Sequence, residues 1–261
     1  MGDMSSQTKA RGDENEFWPD APDGPRSRTI SIVVAVIVLL AAAGGAAWWF
    51  LGRGGDDAVS TSVGKRLPVT YVPQEGDKDT TKLSLRTADP RLFTEGEIFD
   101  DKKTVAYGKY KFALKGQKLT DCPSAAWGDV FETMLQQAGC NQIARGLYVS
   151  EDKTYAGLFV AFNLADEKGA TLVMNAMDVT RKNGFVHPLE SPEVKDFGGN
   201  WSAAYSQVIG HYVIMSWVQR ASGERPPGLN EMIDISLAVQ SPEDFAWGRL
   251  VNLDPGPKGE N

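Results

Sequence analysis

Cys122 and Cys140 are the only cysteines of this 261-residue chain, and His187 and His211 its only histidines. Nucleophilic, redox or metal chemistry would have to be assembled from very few side chains. Metal sites recruit His and Cys at short fixed spacing, and thiol redox centres use a C-x-x-C pair. Neither spacing occurs here, so no metal ligand is assigned. The acid pairs Asp56 with Asp57 and Asp100 with Asp101 read as solvated turns, and no EF-hand series is present. There is no nucleophile elbow, phosphate loop or dinucleotide fingerprint, so no cofactor and no catalytic residue is expected. Acid–base chemistry could assemble at one place, where His187 lies in a loop with Glu190 and Glu193. His211 follows Gly210 and reads as a solvated turn residue.

Both cysteines follow the apolar span described below, on the oxidising side of a membrane, so a Cys122–Cys140 disulfide is expected. It would close a loop of about 19 residues and stabilise the domain by roughly 3 kcal/mol in the chain-entropy picture. The spacing of Trp127, Val130, Phe131, Met134 and Leu135 fits a helix from Ser124 to Gln137, capped by Gly139. A helix of that length reaches about 20 Å, whereas bridged Cα atoms lie about 5.5 Å apart. The bridge therefore requires a shorter helix, starting near Asp129 after Gly128.

The elements around these residues alternate between helix and hairpin. KYKFALKGQK, from Lys109 to Lys118, reads as an edge strand protected by lysine. Ile143, Leu147 and Val149 alternate on one strand, and Leu158, Val160, Phe162 and Leu164 on the next, across a polar turn at Ser150 to Lys153. Asp166 caps a helix running to about Thr180, with Ala170, Val173, Met174 and Met177 on one face. A Gly- and Pro-rich loop spans Asn183 to Asn200. Trp201 to Val208 and Tyr212 to Arg220 form a second hairpin. Pro226 and Pro227 open a helix whose apolar face is Leu229, Met232, Ile233 and Leu237. Leu67 to Val72 and Lys82 to Leu85 are short extended candidates. The expectation is an α+β fold over residues 67–253: an antiparallel sheet with helices on one face, in a split βαβ (ferredoxin-like) arrangement. Trp201 and Tyr205 share a strand face and would form a docking surface if no helix covers it.

Thr29–Leu51 carries no charged residue or histidine. As a helix it reaches about 34 Å, enough to span a hydrocarbon core of about 30 Å. Arg26 and Arg28 before it and Trp48 and Trp49 at its far end favour a cytoplasmic N-terminus. A cleaved signal, with Ile30 to Ala43 as its apolar region, is the rival reading. Residues 1–28 form a polar cytoplasmic tail, in which Phe17 and Trp18 are candidates for docking to a partner. Residues 52–66 have linker composition, and 254–261 a tail composition. With 27 basic and 34 acidic residues and a net charge of −7, the chain has no phosphate-tracking surface, so nucleic acid is excluded as a partner.

AGCNQIARGLYVS (Ala138 to Ser150) followed by AGLFVAFNLAD (Ala156 to Asp166) resembles uncharacterised actinobacterial single-pass membrane proteins. The resemblance implies a short tail, one span and a small extracytoplasmic domain, and it carries no functional residues across. The expected function is a membrane-anchored binding, sensing or scaffolding module of the cell envelope, with an envelope protein or small ligand as partner. An envelope hydrolase centred near His187 is the alternative. A deep pocket joining His187 to Glu190 and Glu193 would favour the enzyme; an open apolar face around Trp201 would favour binding.

Overall fold

Strands β5 (Gln142–Ser150) and β6 (Tyr155–Asn163) are buried at almost every position. Leu158, Val160 and Phe162 face one core, while Phe159 and Ala161 face another. Strands apolar on both faces need cover on both sides, and that requirement shapes the domain. The structure is a computed structural model and describes residues 65–76 and 78–253.

The sheet has seven strands. From one edge they run β1 (Thr70–Gln74), β8 (Ser202–Ile209), β9 (Tyr212–Arg220), β6, β5, β3 (Tyr110–Thr120) and β2 (Thr104–Tyr107). β1 pairs in parallel with β8, and every other neighbour is antiparallel. On one face lie α3 (Asp129–Gln137) and α4 (Glu167–Ala176). On the other lies α5 (Leu229–Gln240), in contact with β2 and β3 as well as β8 and β9, so the sheet curls around it as a half-barrel. α1 (Glu95–Phe99) and α6 (Asp244–Leu253) complete that second layer.

The expected α+β fold, an antiparallel sheet with helices on one face in a split βαβ arrangement, is therefore corrected to a mixed, curled sheet with helices on both faces. Reading only one set of alternating residues on β6 accounts for the error, because the other set is buried too. The phase of α5 is corrected as well. Met232, Ile235 and Val239 are fully buried, whereas Leu229, Ile233 and Leu237 are 55%, 41% and 41% exposed. Spacings of three and four, from 232 through 235 to 239, mark the core face. Lys78–Leu83 is a 3-10 helix where Lys82 to Leu85 had suggested an extended segment.

Several local expectations hold. Asp166 caps α4 by accepting a hydrogen bond from the Gly169 N–H, although α4 stops at Ala176. Cys122 and Cys140 are bridged with Cα atoms 6.1 Å apart. As that bridge demands, the helix begins at Asp129, and Cys122–Ala125 forms a separate turn, α2. Gly139 takes the left-handed conformation at φ 62° that ends α3.

α6, which had no counterpart in the sequence reading, is anchored by a buried cation. Arg249 is 1% exposed. Its guanidinium donates to Glu97 (2.7 and 2.5 Å), to Asp89 (3.2 Å), to the Tyr212 hydroxyl (2.8 Å) and to the carbonyls of Arg91 and Leu92 (both 2.9 Å). Phe93, Tyr212 and Phe245 place their rings 5.5–5.8 Å from it. Among the described residues no helix is long and apolar enough to cross a membrane; the expected span at 29–51 lies outside the described residues.

Candidate functional site

Alternation along β5 puts Arg145 on the same face as Ile143, Leu147 and Val149, the face that packs into a core. It is a cation where the pattern calls for an apolar residue. Arg145 is 3% exposed. Its Nη1 donates to the His187 carbonyl at 2.8 Å and its Nη2 to Thr120 Oγ1 at 3.4 Å, while its Nε has no partner among the described residues. Both acceptors are neutral, and burial pushes the guanidinium pKa down.

Arg145 forms part of the wall of a cleft of about 970 Å³. Residues 187–197 supply much of the lining, together with Lys118 and Ser124. The elements holding that segment are identifiable. β4 (Ala126–Trp127) pairs with β7 (Phe185–Val186), and the His187 N–H donates to the Ala125 carbonyl at 2.8 Å. The two short strands approach so closely that a Cβ on Gly184 would lie 2.0 Å from the Trp127 carbonyl oxygen; its φ of +130° equally favours glycine. The disulfide secures this corner by tying α2 to Cys140, two residues before β5.

The far end of the loop is fixed on the sheet. Phe185 and Phe197 each meet buried Trp217 edge-on at 5.1 Å, and Trp217 Nε1 donates to Ser202 Oγ at 2.9 Å. Arg66 bonds the Phe197 carbonyl at 2.6 Å and pairs with Asp196 at 2.7 Å. Lys115, at the bulge that shifts β3 between Leu114 and Gly116, pairs with Glu193 at 3.1 Å. These ties hold the rim in place and consume the charges of Arg66, Asp196, Lys115 and Glu193.

The residues singled out in the sequence are distributed unevenly. His187 and Glu190 line the cleft; Glu193 does not, being turned to Lys115. Cys122 and Cys140 brace it from outside. Trp201 and Tyr205 are half-buried and pack against the core on the α5 side. Phe17 and Trp18 lie outside the described residues. His211 is not a solvated turn residue. It is fully buried, its Nδ1–H donates to the Leu83 carbonyl at 2.6 Å, and burial pushes its pKa down to about 4. The turn looked exposed in sequence because the 3-10 segment that covers it lies far away in the chain. The lysine-protected edge is also modified, since β2 pairs outside β3 at residues 110–113.

Sequence reasoning missed Arg145 and Lys118. The signal for Arg145 was present, as an arginine in phase with the buried set of QIARGLYVS. Among the described residues no cluster of His, Cys, Asp and Glu could hold a metal ion. No protein-family model, curated protein or solved structure matches the chain.

Proposed function

We propose that this chain is a membrane-tethered, extracytoplasmic binding module of the cell envelope that takes a small ligand into the cleft beside the 187–197 loop. One observation carries the reading: a cleft of about 970 Å³, within the range of small-molecule sites, whose rim is pinned to the sheet before any ligand arrives. A preformed rim lowers the ordering cost of binding. Tether and sidedness rest on the apolar Thr29–Leu51 and its flanking residues.

A hydrolase is the second reading, favoured by His187 and Glu190 sharing the cleft. Both readings meet the same test. The full-length chain in detergent is incubated with a small-molecule extract of the cell envelope and examined by native mass spectrometry. The binding module retains a bound mass that is lost in Ser124→Trp, which fills the cleft from an exposed position. Retention by that variant would remove the cleft from consideration. A converted product in place of the ligand, abolished by His187→Ala, would establish the hydrolase.

A further inference from the structure

Arg145 has no carboxylate partner among the described residues, unlike the other deeply buried arginine. Arg249 holds its charge against two carboxylates and a tyrosine, with π-faces around it. Arg145 has two neutral acceptors and an unused Nε. A buried cation left without a counter-charge costs several kcal/mol, and such a group persists where something supplies the missing charge.

The register of the sheet adds an independent observation. Lys118 on β3 lies directly opposite Arg145 on β5. Like charges in that relation repel and destabilise the strand pair, yet both belong to the cleft wall. Lys195 lies on the rim as well, and once Arg66 and Asp196 have paired, Glu190 is the one acid left against three cations among the described residues of the lining. On a chain of net charge −7 this is a local reversal of sign, which draws anions towards the cleft.

We infer that the cleft is built for an anionic ligand whose carboxylate or phosphate group sits between Arg145 and Lys118. The buried guanidinium supplies an uncompensated positive charge at the cleft wall, and the lysine adds charge from across the strand pair. The inference rests on the binding reading above and names the ligand class for that site.

The test titrates the full-length chain in detergent with inorganic phosphate and, separately, with succinate, using succinamide as the uncharged control. Calorimetry reads affinity and thermal unfolding reads stability. The expected result is binding of at least one anion and none of succinamide, with the preferred anion distinguishing phosphate from carboxylate. Arg145→Met should weaken that binding roughly 10- to 150-fold, the range for a hydrogen bond to a charged group. It should not lower the ligand-free unfolding temperature, since it removes an uncompensated charge. Lys118→Met, at an exposed position, should also weaken binding and serves as the decisive variant if Arg145→Met does not fold. Equal anion affinity in the variants overturns the inference. So does retention of an uncharged extract component in a Ser124-dependent manner with no response to either anion; that outcome would leave the binding module standing. No binding of any kind would remove both.

Discussion

At the scale of single residues, two buried polar groups govern stability. Burial alone would lower the pKa of the Arg249 guanidinium, but the Glu97 carboxylate and the Tyr212 hydroxyl hold it above its usual range. Asp89 behaves in the mirrored way: burial would raise it, and Arg91 and Arg249 hold it below the usual carboxylate range. Arg249→Ala leaves Asp89 buried and under-compensated, so urea denaturation should show a loss of about 3–5 kcal/mol. His211 contributes a pH dependence. It titrates near 6.5 in the unfolded chain and at about 4 in the folded one. Between those values the unfolded chain takes up a proton that the folded chain refuses. Stability from this group is complete above pH 6.5 and falls by roughly 3 kcal/mol as the pH drops to 4. His211→Phe should abolish that slope, and the Leu83 carbonyl still accepts from the residue-211 N–H. The difference between wild-type and variant curves isolates His211 from Glu243, whose burial raises its pKa and acts in the opposite sense. A difference curve flat from pH 4 to 6.5 would refute the buried, neutral histidine. Alternation along β5 carried a signal for Arg145, which the sequence reading missed. His211 and Arg249 were not legible, because their burial depends on Leu83 and on the 89–97 segment, far from them in sequence.

At the scale of elements, the disulfide and the loop it braces form the consequential unit. Removing it in Cys122→Ser/Cys140→Ser should cost about 3 kcal/mol in the chain-entropy picture, measured as a lower urea midpoint. The start of α3 should fray in hydrogen exchange, whereas β5 and β6 should not change. Equal midpoints with and without the bridge would contradict this. The start of α3 was legible because two constraints, helical rise and bridge length, could be set against each other. Hairpins β5–β6 and β8–β9 were legible because their partners are adjacent in the chain. The parallel pairing of Thr70 with Ala203 was not, since a sequence pattern does not say which distant strand an edge strand joins. The phase of α5 was misread because an exposed row, Leu229, Ile233 and Leu237, repeats every four residues and imitates a core face.

At the scale of the whole molecule, a sheet wrapped around α5 leaves its other face to carry α3, α4 and the pinned loop, and the cleft opens at that loop. Under the proposed reading, a tether ahead of residue 65 would hold a cleft-bound ligand at the membrane surface. Two surfaces compete for the functional role: the basic cleft and the exposed row on α5. Hydrogen–deuterium exchange on the full-length chain, with and without the envelope extract, separates them most directly. The binding-cleft account predicts slowed exchange in residues 118–125 and 186–197 and no change in 229–240. Protection confined to 229–240, or no protection anywhere in the domain, would contradict it.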